Sequence, residues 1–446
     1  MGAEAAIALV LVLMMILIIM EMPIAFAMGI SGAVGLIVLR DVDYATNILG
    51  AVPFTQTSTF SLTVIPMFIL MGVLVVKGDM ARQVFAVASH LFRRIPGGLG
   101  VSTVMACASF SAVSGSSVAT SATMAQLSVG EMRTRGYPAS LATGIVASAG
   151  TLGVLIPPSI MMIIYALLTG ESTGKLLIAG ILPGILTALA YSTYISLSAA
   201  AGRRGKGDDR ERLPQQAPQC EPRARPALPW GGLARVGILF VIVIGGIYSG
   251  VFTVTESAAI GALTALLMVL FGKRPASSPG LAEDMKDALS QSAQTTTTIF
   301  AIVIGSGILS AFFVISRAPQ MLTLWIGGLD LDPSVIMALM LLMIVPLGMF
   351  LESISMMVIV VPLFYPIAQE LGFDGIWLGV MMIKMIELGL VTPPIGISCY
   401  VVSGTSQVPV EQVFRGVIPF LLVDALVIAC LFAFPAIATW LPSTMN

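Results

Sequence analysis

The feature that most constrains this chain is the recurrence, from one end to the other, of apolar runs approaching or reaching membrane-spanning length. Ala5 to Met20, Val64 to Val76, Leu176 to Leu197, Val236 to Tyr248 and Gly416 to Leu441 hold almost no charge. A helix needs about 20 residues to cross the hydrocarbon core, and inside it every backbone polar group must be paired within the structure. A soluble fold fails on charge. Of 446 residues only 10% are charged and 57% are hydrophobic, whereas a soluble domain carries about a quarter charged. The expectation is an all-α polytopic membrane protein. Runs shorter than a full span predict helices with polar flanks or broken and re-entrant helices, and 44 Gly and 26 Pro suit such interruptions.

Other classes fall away on residue type. The opening Met1-Gly-Ala-Glu-Ala-Ala lacks a basic leader region, so 5–20 reads as a retained span. Cys107, Cys220, Cys399 and Cys430 are scattered without metal-like spacing, and His90 is the single histidine. No transition-metal site, no cofactor and no enzyme activity are expected. Gly170-Glu-Ser-Thr-Gly174-Lys175-Leu176 is one residue short of a phosphate loop and has Leu where Ser or Thr is required. ATP-driven transport by this chain is therefore not expected.

Composition shifts most sharply between 202 and 229, a stretch rich in Arg, Pro and Gln. It reads as a cytoplasmic connector between two membrane halves, 1–201 and 230–446. Asp208, Asp209 and Glu211 interrupt the basic run and no aromatic interleaves it, which argues against nucleic acid. The halves repeat. Leu152-Gly153-Val-Leu-Ile-Pro157-Pro158 is echoed by Leu388-Gly389-Leu-Val-Thr-Pro393-Pro394, 236 positions on, and the same offset pairs Gly136 with Gly372 and Ser117 with Ser353. An ungapped set of matches indicates internal duplication.

Spans are predicted at about 5–20, 24–39, 61–76, 140–165 and 175–200, with a hairpin at about 99–130. The second half repeats them at about 231–250, 255–271, 294–315, 376–402 and 414–440, with a hairpin at about 335–368. Five spans per half is odd, so the second copy enters the membrane inverted, as in many secondary transporters. With both termini outside, the 22 basic residues fall on the cytoplasmic side except Arg40, Lys175 and Arg317, with Lys384 inside a span. The first hairpin then faces the cytoplasm and the second the opposite side. Asp79 to Arg94 is amphipathic, and 317–329 is its counterpart; each reads as an interfacial arm or a simple surface connector.

Chemistry concentrates at the hairpins and the proline breaks. The first hairpin carries Ser109, Ser111, Ser114, Ser116, Ser117, Thr120, Ser121 and Thr123, which suit either a non-helical tip or close packing of small residues. Gly150 to Ser159 and Glu387 to Gly396 are interrupted by double prolines. Matching breaks in two halves point to a midplane site, where half-helix N-termini face a carboxylate and freed carbonyls and hydroxyls hold Na⁺. Glu352 sits in an apolar setting, as an ion ligand or a carboxylate satisfied by backbone donors. Glu21 and Glu256 read as loop or capping groups. Lys384 and Glu387, three apart on one helix face, are expected to pair. Asp424 has no evident partner.

At these tips and breaks the chain resembles the large membrane subunit of TRAP (tripartite ATP-independent periplasmic) transporters. The residues that carry the likeness are Ser111 to Thr120, Gly150 to Ser159, Leu351 to Pro362 and Gly389 to Gly396. The resemblance implies an elevator, with a transport domain bearing both hairpins moving against a scaffold. It implies Na⁺ coupling, a small four-helix membrane subunit, a periplasmic substrate-binding protein and residence in the bacterial inner membrane. By the match, Ser114, Ser116, Ser117, Gly153, Ile156 and Pro157 surround one Na⁺, and Glu352, Ser353, Gly389 and Thr392 a second. Thr151, Pro158, Ser159 and Pro394 are expected to face the substrate. Relatives often have Asp where this chain has Glu352. The implied function is import of small organic acids of the dicarboxylate, sialic acid or sugar-acid class. The alternative is a self-sufficient dicarboxylate/Na⁺ symporter that needs no binding protein.

Overall fold

The computed structural model describes residues 2–204, 230–272, 280–327, 331–349 and 351–445, and among them every regular element is helical. From 205 onward the predicted connector, with Cys220, lies outside the described residues.

In the first half, α1 (Ala3–Ile19) and α2 (Ile24–Leu39) meet at a turn where Glu21 takes a φ of 62°. Next comes α3 (Val42–Thr57), which was not expected from the sequence. It starts because the Asp41 carboxylate accepts from the Tyr44 amide at 2.7 Å, and an internal Pro53 masks its helical pattern. α4 (Val64–Lys77) follows, then α5 (Met80–Leu91), which buries the side predicted for the amphipathic arm, including Met80, Val84, Phe85 and Ala88. The first hairpin is α6 (Gly98–Ser114) and α7 (Ser117–Met124), which passes through a π turn into α8 (Gly130–Thr134). α9 (Ala139–Gly150) and α10 (Leu152–Leu155) form one rod, and α11 (Ile160–Thr169) leaves it at 43°. α12 (Thr173–Ala179) and α13 (Ile181–Arg204) close the half.

The second half opens with α14 (Trp230–Phe240), a π turn and α15 (Gly246–Tyr248). α16 (Val254–Phe271) begins with a capping box in which Thr253 and Glu256 satisfy each other's backbone amides. α17 (Leu281–Ser316) starts well before the predicted 294. Its Thr295, Thr296, Thr297 and Thr298 hydroxyls each bond the carbonyl four residues back, so the polar start of the predicted span is helical with its hydroxyls satisfied. Then follow α18 (Ala318–Gly327), the hairpin α19 (Pro333–Gly348) and α20 (Ser353–Glu370), the rod α21 (Gly375–Val391), α22 (Ile397–Ser406), α23 (Val410–Ala433) and α24 (Ala436–Ser443).

Among the described residues seven segments are long and apolar enough to cross a membrane, and the bent α9–α11 unit makes an eighth. α1, α2, α6 and α19 are apolar but shorter. The chain is a multi-pass membrane protein by these dimensions.

The two halves carry the same devices at the same spacing. Pro157–Pro158 and Pro393–Pro394 are both cis, and Gly136 (φ 79°) and Gly372 (φ 81°) turn the chain after each hairpin. The halves interleave rather than lying side by side. α2 packs on α17 as α16 packs on α4, and α11 packs on α20 as α22 packs on α7. This exchange of partners brings the hairpin of each half against the broken helix of the other.

Candidate functional site

Each hairpin tip is built by one helix ending and another beginning, and the unpaired amides at the new helix start must find partners. α6 stops at Ser114. Gly115 then takes a left-handed φ of 62°, and Ser116 is extended and caps α7 by accepting from the Ala119 amide at 3.4 Å. In the second hairpin the equivalent cap is Glu352, whose carboxylate accepts from the Ser355 amide and hydroxyl, both at 3.4 Å. Glu352 is thus held by donors of its own helix.

The breaks are built by denial of donors. α10 ends at an extended Ile156, Pro157 and Pro158 contribute no amide hydrogens, and Ser159 restarts α11 by accepting from the Met162 amide at 3.3 Å. α21 ends at an extended Thr392, whose hydroxyl returns to the Leu388 carbonyl at 2.6 Å, and Gly396 (φ 49°) opens α22.

The first tip and the first break touch at two points that tolerate only glycine. A Cβ on Gly115 would stand 2.8 Å from the Pro158 carbonyl oxygen, and one on Gly153 would stand 2.8 Å from the Ser116 carbonyl oxygen. Ser114, Ser116, Ser117, Gly153, Ile156 and Pro157 therefore lie on two segments in direct contact, and Ser114 Oγ shares a hydrogen bond with Thr120 Oγ1 at 2.8 Å. In the second cluster Gly389 lies against α19, where a Cβ would come within 2.8 Å of the Val345 carbonyl oxygen. Ser353 meets α21 through a side chain rather than through the backbone.

That side chain is Glu387, and it is the centre of the site. Its Oε1 accepts from Ser117 Oγ and from Ser353 Oγ, both at 3.3 Å. The two serines occupy equivalent positions in the two halves, so both hairpin tips are bonded to one carboxylate oxygen. Glu387 is 1% exposed, and its Oε2 is buried without a hydrogen-bond partner.

The pairing of Glu387 with Lys384 expected from the sequence is not formed. Lys384 Nζ instead bonds Asp424 Oδ1 on α23, and Tyr191 on α13 donates to Asp424 Oδ2 at 2.5 Å. The reason is direction: the ammonium leaves α21 toward α23 and bonds Asp424 there, one helical turn from Glu387. Asp424, left without a partner by sequence reasoning, is the hub of this second network.

The residues expected to face substrate divide. Thr151 is buried and bonds the Ser148 carbonyl at 2.7 Å, and Pro158 and Ser159 are also buried. Pro394 is exposed, as is Glu352, so the second break and second tip reach the surface while the first break is closed off. Glu387 escaped sequence reasoning as the meeting point of the tips. A signal was present: its repeat equivalent is Thr151, so the duplication carries an acid in one copy and a self-bonded hydroxyl in the other.

Residues 11–437 match the family model described as "Tripartite ATP-independent periplasmic transporter, DctM component". The chain belongs to this family. Among DctM-type relatives, it is 35% identical to the C4-dicarboxylate TRAP transporter large permease protein DctM of Pseudomonas aeruginosa, over 94% of each chain. It is 30% identical to the sialic acid TRAP transporter large permease protein SiaM of Vibrio cholerae, over 94% of this chain and 95% of that one. It is 31% identical to the 2,3-diketo-L-gulonate TRAP transporter large permease protein YiaN of Escherichia coli, over 90% and 91%. The fold also resembles the crystal structure of the Alcanivorax borkumensis YdaH transporter, with a TM-score of 0.60 at 15% identity over 90% of this chain and 91% of that one. The DctM-family match covers both tips and both breaks.

Proposed function

We infer that this DctM-family permease imports small organic acids of the dicarboxylate, sialic acid or sugar-acid class, driven by Na⁺. The observation that carries the reading is the seam at Glu387, where two hairpin tips from opposite halves are bonded to one oxygen of a buried carboxylate. A fixed site formed at the interface of two repeats is what alternating access requires, because one repeat can open while the other stays closed. The unequal exposure of the two breaks suits a single-sided state.

In this reading Ser114, Ser116, Ser117, Gly153, Ile156 and Pro157 hold one Na⁺, and Glu352, Ser353, Gly389 and Thr392 a second. Their oxygens are the hard donors an alkali cation takes. The substrate carboxylate lies toward Thr151, Pro158, Ser159 and Pro394, next to the helix starts at 159 and 397. The halves are inverted in a bacterial inner membrane with both termini periplasmic, and the interleaved α2, α4, α16 and α17 act as scaffold. A small four-helix membrane subunit and a periplasmic binding protein complete the transporter. The relatives named for organic acids support the substrate class.

The test is uptake into proteoliposomes holding this chain and its small subunit, with the binding protein outside and an inward Na⁺ gradient. A panel of C4-dicarboxylates, sialic acids and sugar acids is the probe. Uptake that needs both Na⁺ and the binding protein is expected. Uptake by the membrane proteins alone would refute the tripartite reading, and uptake indifferent to Na⁺ would refute the coupling.

A further inference from the structure

The buried charges of the described residues nearly cancel. Lys384 and Asp424 neutralise each other at 1% exposure apiece, and Asp284 lies 3.9 Å from Lys77. Glu387 remains. No ammonium or guanidinium among the described residues lies within ion-pair range of it, its Oε2 has no donor, and it is 1% exposed. A carboxylate withdrawn from water without a counter-charge in ion-pair range is strongly disfavoured, and such groups inside membrane proteins mark ion pathways.

The fold itself does not require an acid at this position. The repeat equivalent, Thr151, occupies the same place in the other half and satisfies its hydroxyl on its own helix at 2.7 Å. Nor do the serines need a charge to anchor them, since a neutral amide oxygen would accept the same two bonds. What a carboxylate adds is the capacity to carry a full negative charge, favoured when a cation is beside it, at one point touching both tips. Ser117 belongs to the first candidate cation cluster and Ser353 to the second, so one oxygen is shared by both.

We propose that Glu387 is the anionic residue common to the two cation clusters and that it couples their occupancy. The proposal rests on the Na⁺ reading above. A cation entering either cluster is attracted by the Glu387 charge and pulls on a serine that shares the same oxygen. The tip of the other hairpin is thereby held in its closed position, so the second cation meets an ordered site. Glu387 is the positioning and charge-balancing residue of ion coupling, and its unpartnered Oε2 is the oxygen that remains open to a cation.

The deciding experiment compares E387Q with the unaltered chain in the complete reconstituted transporter, measuring initial uptake against external Na⁺ with K⁺ as replacement. The purified membrane complex is also titrated with Na⁺ alone, without substrate, and followed by thermal shift. The unaltered chain is expected to respond sigmoidally, with a Hill slope approaching about 2. E387Q keeps the acceptor oxygen but loses the charge. Its half-saturating Na⁺ is expected to rise about tenfold or more, with the slope falling to about 1 in both assays. A Na⁺-dependent parent with an E387Q curve of unchanged midpoint and slope overturns this inference and leaves the Na⁺ reading intact. A parent that ignores Na⁺ overturns both. Should E387Q fail to assemble, the double variant Ser117→Ala/Ser353→Ala removes the shared contact instead. It is expected to lower the slope, and an unchanged slope overturns the coupling.

Discussion

Asp424→Asn is the most informative perturbation of the buried network on α13, α21 and α23. Asp424 accepts from Tyr191 at 2.5 Å and from the Lys384 ammonium, with both charged groups 1% exposed. Asparagine preserves the volume and one acceptor but leaves the ammonium buried without its counter-charge. Removing one partner of such a pair costs about 3–5 kcal/mol, whereas replacing both by apolar groups of similar size costs far less and is often neutral. The expected result is therefore a cycle with strong coupling. Asp424→Asn and Lys384→Met each destabilise by about 3–5 kcal/mol, and Lys384→Met with Asp424→Leu recovers most of that loss. The recovery stays incomplete because Tyr191 then loses its acceptor, at about 1–3 kcal/mol. Detergent thermostability followed by size-exclusion chromatography reads the single losses as melting shifts on the order of 5 °C or more. An Asp424→Asn variant as stable as the parent, or a double variant worse than either single, would show that the ammonium is not held by Asp424 and would refute the argument.

Three further outcomes follow from particular contacts. Gly115→Ala places a Cβ at φ 62° and 2.8 Å from the Pro158 carbonyl oxygen; it is expected to cost about 1–2 kcal/mol of backbone strain and to cut uptake far more than expression. Gly416→Ala would set a Cβ 1.8 Å from the Ser140 carbonyl oxygen where α9 crosses α23, so a loss of about 1–3 kcal/mol is expected from forced separation of the helices, read as a lower melting temperature. Thr253→Ala dismantles the capping box of α16; a loss of about 1 kcal/mol with Na⁺-dependent uptake unchanged is expected, and a changed Na⁺ curve would place α16 in the coupling path.

Much of this architecture was legible in the chain because its signals are local. Double prolines break a helix wherever they stand, so the interruptions at Pro157–Pro158 and Pro393–Pro394 are legible in the sequence. The hydroxyl-rich segment 109–123, by contrast, leaves a non-helical tip and close packing both open. Glu256 read as a cap, and it is one. Helix α3 and the early start of α17 were missed because Pro53 and a run of Ser, Gln and Thr imitate loop. The start of α3 depends on an Asp41 cap, which composition does not reveal.

The sequence alone determined that this protein lives in lipid, that it is helical, and that it carries the same tip and break twice. Apolar run length and proline chemistry act through neighbours in the chain, and the 236-residue offset needs only the chain compared with itself, so no spatial partner is needed to read them. Only the tertiary structure decided which buried charges meet. Lys384 sits one turn from Glu387 yet spends its charge on Asp424, 40 positions away, with Tyr191 as the third member. Glu387 is left to hold Ser117 and Ser353, 270 and 34 positions away. Side-chain direction and the interleaving of two halves set those partnerships, and neither is written in the spacing of residues along one helix.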